Sequence, residues 1–109
     1  MKVYSSYEGG SLQIILQGEL DQHGVKGSME AIDGLLEEYL PRDCVLDLSS
    51  LSFMDSSGIA LILKLSRRMQ REGGTLRVEH PAPQPRRVLE AAGVERMALV
   101  SLRREGETV

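Results

Sequence analysis

The chain is poor in the residues that build several special-purpose scaffolds. Cysteine occurs once, at Cys44, so no internal disulfide can form and no zinc spacing exists. Tryptophan is absent, and the aromatics are Phe53, Tyr4, Tyr7 and Tyr39. They are not interleaved with basic residues, so a base-stacking surface for nucleic acid is not expected. No apolar run approaches the ~18 residues of a membrane span. Residues 1–8 lack the apolar core of a secretory leader, and a cytoplasmic protein with no membrane contact is the expectation. The phosphate-cradling patterns G-x-x-x-x-G-K-[ST] and G-x-G-x-x-G are missing, as is the G-x-S-x-G elbow of a hydrolase. No metal and no cofactor is expected.

What remains is an ordinary globular composition. The 109 residues are 41% hydrophobic and 27% charged, which fits one domain over residues 1–109. A chain of this size can bury roughly 60–70% of its unfolded surface. The net charge of −3 hides a split. Residues 1–63 hold 3 basic and 10 acidic side chains, and residues 64–104 hold 10 basic and 4 acidic. Such a chain is a dipole, not a nucleic-acid footprint.

The apolar pattern predicts the order β-β-α-β-α-β-α-β. Val3–Glu8 and Leu12–Leu16 flank Gly9-Gly10 and read as a hairpin, with the second strand stopping at Gly18. Glu19 to Gly24 reads as a loop. Val25, Met29, Ile32, Leu36 and Tyr39 mark one face of a helix that Pro41 ends. Cys44–Leu48 is a short apolar strand, and Ser49 to Met54 a connector. Asp55-Ser56-Ser57-Gly58 opens the strongest helix, which runs to Gly73-Gly74. Its Lys64, Arg67, Arg68 and Arg71 stripe reads as a solvated face. Thr75–Glu79 alternates as a strand. Pro81, Pro83 and Pro85 define a stiff turn, with Pro85 suited to the first helical turn, before a short helix through Val88, Leu89 and Ala92, capped by Gly93. Met97–Leu102 is a last strand or extension, and 103–109 a frayed tail. This is an α/β domain: a mixed sheet with helices mainly on one face.

Chemistry concentrates where the strand ending at Leu48 leads into the helix at Ser56. A helix N-terminus presents unpaired N–H groups and partial positive charge, so a hydroxyl there is poised to hold an anion or become one. Asp and Ser are also ordinary N-caps. Three cap-capable residues in a row, a glycine in the first turn that would let another chain approach, and an apolar circumference point beyond capping. Asp21 either caps the next helix or shares a site with Asp55 across neighbouring loops. Ser56, His23 and Asp21 could form a Ser-His-Asp set, but the elbow motif for it is missing.

Gly18-Glu19-Leu20-Asp21, Val45-Leu46-Asp47-Leu48 and Leu51-Ser52-Phe53-Met54-Asp55-Ser56-Ser57-Gly58 together resemble the STAS domains of bacterial anti-sigma-factor antagonists, sporulation and stress-response members alike. The likeness extends through Gly73-Gly74 and Val88-Leu89 to Gly93-Val94. It implies a STAS-like single domain with a four- to five-stranded mixed sheet. It also implies that the chain is not an enzyme, and that its unmodified form binds an anti-sigma factor, itself an ATP-dependent serine kinase, and frees the sigma factor. Phosphorylation at Ser56 would break the complex, and a PP2C-type phosphatase would restore it. The expected partner-binding set is Asp21, His23, Met54, Asp55, Ser57, Gly58, Ile59 and Ile62, with Met54, Ile59 and Ile62 supplying contact area and Asp21 and Asp55 specificity. Gly24 and Ala60 depart from the family pattern and imply a different start to the first helix and slightly less backbone access. Three alternatives stand beside this: a phosphocarrier or phosphatase-like enzyme, an anion- or nucleotide-binding STAS module, and a scaffold subunit of a signalling assembly.

Overall fold

The computed structural model describes residues 1–97 and 100–103. Strands β1 (Lys2–Glu8) and β2 (Ser11–Leu20) are followed by helix α1 (Val25–Tyr39), strands β3 (Asp43–Asp47) and β4 (Leu51–Met54), and helix α2 (Ser56–Arg71). Strand β5 (Thr75–Glu79), helices α3 (Pro83–Ala92) and α4 (Val94–Met97) and strand β6 (Val100–Arg103) complete the order. Five strands form a mixed sheet in the order β1-β2-β3-β5-β6, and the short β4 lies off this path, paired with β2. β1 runs antiparallel to β2, and the other pairings are parallel.

Strand parity decides which face is covered. Leu12, Cys44 and Leu76 are in register across β2, β3 and β5, and so are Ile14, Leu46 and Val78. All six are buried. They meet Ile32 and Leu36 of α1, Leu61, Ile62, Leu65 and Met69 of α2, and Leu89 of α3 in one core. Each such side chain contributes about 1.5–3 kcal/mol by leaving water. The alternate residues Gln13, Val45, Arg77 and Glu79 line a shallow depression of about 360 Å³ on the opposite face, so the helices cover one side, as the sequence predicts.

The hairpin turns at Gly9 and Gly10 with φ of 59° and 84°, the pair of positive values that a tight two-residue turn requires. Helix α1 ends where Leu40 turns left-handed ahead of Pro41, because the residue before a proline leaves the helical region.

Four expectations need correction. Ser49–Met54 is not merely a connector, because Leu51–Met54 is strand β4. β2 does not stop at Gly18. The register shifts between Gly18 and Glu19, and Gly18 takes φ 116°. The first half of β2 pairs with β3 and, from Gly18 onward, its end pairs with β4, the bulge lying within this second ladder. Pro83 lies inside the first turn of α3 rather than in a preceding turn, beside Pro85, which the sequence already suits to that turn, because the first helical positions need no backbone donor. Arg103 is the last residue of β6, not the start of a tail. The rest of the expected tail, 104–109, lies outside the described residues.

Candidate functional site

Two loops are placed side by side by the β2–β4 pairing. Leu20 and Met54 are partners in the register, so Asp21 and Asp55 follow one another's strand ends. The main-chain N–H of Asp55 donates to the Leu20 carbonyl at 3.3 Å. The two acidic loops therefore lie on the same end of the sheet, which the sequence left conditional.

Asp55 is the N-cap of α2. Its extended backbone turns the chain, and its carboxylate accepts the N–H of Ser57 at 2.8 Å. Its carbonyl accepts from Gly58 at 3.0 Å. Ser56 is the first helical residue and is exposed, whereas Ser57 is half-buried. The Ser56 hydroxyl makes no hydrogen bond among the described residues. An accessible hydroxyl thus stands at a helix end whose positive pole is already partly met by a neighbouring carboxylate.

Asp21 organises the second loop. Its Oδ1 accepts the main-chain N–H groups of His23 and Gly24, each at 3.0 Å. The Gly24 bond chiefly holds this carboxyl below its ordinary pKa; desolvation opposes it, and the His23 bond and the nearby His23 add to the lowering. Gly24 is the N-cap of α1 and has no side chain to cap with; Asp21 supplies the acceptor from three residues upstream. Asp21 engages the backbone of exposed His23, not its ring, so the two do not form the base–orienter pair of a hydrolytic triad.

Three expected contact residues are core. Met54 and Ile62 are fully buried, and they present no area to a partner. Gly58 is buried too, and it serves internal packing: a Cβ there would meet the Met54 side chain, with Sδ at 2.6 Å, and Leu20 Cδ2 at 3.2 Å. The apolar circumference of α2 has the same cause. The helix lies against the sheet with α1 and α3 touching its flanks, so Leu61, Ile62 and Leu65 are all covered from within. Ile59 is half-buried and remains available beside Ser56.

Two residues escaped the sequence reading. Phe53 is 38% exposed on β4; its parity opposite to buried Met54 is a signal, legible only once the segment is known to be a strand. Gln84 of α3 accepts the Met54 N–H at 2.8 Å and donates to the Met54 carbonyl at 3.0 Å. Nothing in the sequence marks it. Arg68, expected on a solvated face, instead ties α2 to α1 through Asp33, with Nη1 2.9 Å from Oδ1.

Among the described residues there is no metal-binding cluster of His, Cys, Asp or Glu. No helix among them is long and apolar enough to cross a membrane. With this fold and this loop pair in view, the chain belongs to the STAS domain family, whose pattern matches residues 7–106. An anti-sigma F factor antagonist of Lysinibacillus sphaericus is 33% identical over 81 residues, covering 74% of this chain and 69% of that one. The anti-sigma factor antagonist SpoIIAA in its unphosphorylated form superposes with a TM-score of 0.77 at 26% identity, over 95% of this chain and 90% of that one. The phosphorylated form of SpoIIAA from Bacillus gives 0.70 at 26% identity, over 95% and 93%. This kinship sets the chain among the anti-sigma factor antagonists.

Proposed function

We propose that this chain is a partner-switching antagonist whose binding is controlled by phosphorylation of Ser56. The unmodified form docks on an anti-sigma factor that is also a serine kinase and so releases the sigma factor. The kinase, using its own ATP, phosphorylates Ser56 and the complex parts. A PP2C-type phosphatase resets the cycle, and all steps take place in the cytoplasm. The observation that carries this reading is the exposed Ser56 hydroxyl at the first position of α2 beside the capping carboxylate of Asp55. The relatives support it: SpoIIAA is a structural neighbour in both an unphosphorylated and a phosphorylated form.

Magnitudes favour repulsion over local accommodation. A serine phosphate carries about −1.5 to −2 charges at pH 7. A free helix N-terminus would return ~0.3–1 kcal/mol, but Asp55 already occupies part of that end. Two unit charges about 6 Å apart at an effective dielectric near 20 repel by about 2.8 kcal/mol before screening. The new charge therefore faces outward, beside Asp55 and the Asp21 loop, against a partner holding nucleotide phosphate. A penalty of about 3–4 kcal/mol weakens binding a few hundred-fold, enough for release without a large conformational change. Exposed Ser56 and Phe53 and half-buried Ile59 supply the accessible contact area near the switch, and Asp21, His23, Asp55 and Ser57 the polar rim.

Mass measurement of the intact chain after incubation with Mg-ATP and its anti-sigma factor tests the reading. One added phosphate is expected, dependent on the kinase, absent in Ser56→Ala and retained in Ser57→Ala. Phosphate retained in the first variant and lost in the second would move the switch to Ser57. No phosphate on the unaltered chain would overturn it.

A further inference from the structure

Among the described residues, the β2–β4 pairing leaves one edge of β4 without a strand. Successive residues of a strand turn their main-chain groups to opposite edges. Asp55 directs its N–H to Leu20 of β2, so Met54 directs its N–H and carbonyl the other way. Both are met there by a single side chain: Gln84 Oε1 accepts the N–H at 2.8 Å, and Gln84 Nε2 donates to the carbonyl at 3.0 Å. A carboxamide is a peptide unit in miniature, and here it stands in for the missing neighbouring strand at the residue directly before Asp55-Ser56.

The sequence around Gln84 holds it in place. Pro83 and Pro85 flank it in the first turn of α3 and fix the backbone on both sides near φ −65°. Pro85 is buried, anchoring that turn. Met54 itself is wedged against Gly58 and Leu20. The residue preceding the switch loop is thus fixed by its side chain from within the core, by β2 through its neighbour, and by α3 through Gln84.

The geometry points to Gln84 as a positioning residue for Ser56: by closing the open edge of β4 it sets where the loop carrying the hydroxyl leaves the sheet. This rests on the phosphorylation reading above and adds a residue on a different helix, whose side-chain hydrogen bonds go to the main chain of Met54. The role needs one acceptor and one donor in a fixed fork. Glutamate keeps the size but offers only acceptors when ionised, and leucine keeps the bulk but offers neither.

The test compares unaltered chain, Gln84→Leu and Gln84→Glu. Amide hydrogen exchange is read residue by residue, and phosphorylation at Ser56 is measured with the cognate anti-sigma factor and Mg-ATP. In Gln84→Leu the Met54 amide should exchange roughly ten-fold faster or more, while Leu46 and Val78 in the central strands keep their protection; Gln84→Glu keeps the acceptor for that amide and loses only the donor to the Met54 carbonyl. The phosphorylation kcat should fall roughly ten-fold with KM nearly unchanged, since the hydroxyl is misplaced rather than the docking surface lost. Unchanged Met54 exchange in Gln84→Leu, or unaltered kcat in the variants, would overturn the role of Gln84 alone, as would a uniform loss of protection across the core strands. Failure of the unaltered chain to accept phosphate would instead overturn the switch reading, and this inference with it.

Discussion

The Asp55 N–H donates to the Leu20 carbonyl at 3.3 Å, and this one bond places the two acidic loops of the molecule at the same end of the sheet. It exists because β2 leaves β3 after Ile15 and takes up β4 from Gly18, with a bulge just beyond. Asp55 then turns into α2 and leaves Ser56 outside. The site is a consequence of strand pairing rather than of a pocket.

Gly58 is the first place to test that packing. On an open helix, Gly→Ala gains about 1 kcal/mol. Here the new methyl group would press on the buried Met54 and Leu20 side chains. Overpacking of this kind costs typically ~1–3 kcal/mol, so Gly58→Ala should be net destabilising in urea unfolding. A variant more stable than the unaltered chain would show that the Met54 contact yields easily.

The tie between α1 and α2 should be measurable as coupling. Arg68 has 22% of its side chain exposed, and lies 2.9 Å from Asp33 and 3.6 Å from Glu72. A double-mutant cycle of Arg68→Ala and Asp33→Ala should return about 0.5–1 kcal/mol, falling with added salt. Zero coupling at low salt would make the pair a passive surface contact.

Stability should decline at both ends of the pH scale, for opposite reasons. The carboxyls of Asp21 and Asp43 lie below their ordinary value of 3.8, held down chiefly by the Gly24 N–H and the Thr75 hydroxyl respectively. A depressed carboxyl pKa favours the folded state above the unfolded value, and that contribution disappears as pH falls through the depressed one. Cys44 behaves in reverse. Burial pushes its thiol from 9.0 up to about 12, so the folded state keeps a proton that the unfolded chain releases, and stability falls as pH rises above 9.0. Urea midpoints at pH 3, 7 and 10 measure both limbs. Replacing Cys44 with alanine should flatten only the alkaline one, and a thiol reagent should label native Cys44 no faster than the chain unfolds. Rapid labelling of the native protein would contradict the burial.

Much of this architecture was legible in the residues. The alternation of Leu12, Ile14 and Leu16 gave a one-sided strand, and Gly9-Gly10 gave its turn. The Asp55-Ser56-Ser57-Gly58 start gave the helix and its cap. β4 was missed because it is four residues long, with exposed Ser52 and Phe53 at its centre, so its apolar ends alone carry no alternation. Met54, Gly58 and Ile62 read as a partner surface because a sequence shows an apolar circumference without showing that α1 and α3 lie along it. Gln84 was invisible for a plainer reason: its partners are main-chain atoms thirty residues away, and backbone groups look alike at every position in a sequence.

The most direct measurement is a calorimetric titration of the anti-sigma factor, loaded with nucleotide, with two forms of this chain: unmodified, and phosphorylated at Ser56. The account predicts tight binding by the first and an affinity lower by a few hundred-fold for the second, in keeping with about 3–4 kcal/mol of charge repulsion at the α2 N-terminus. Equal affinities for the two forms would contradict it.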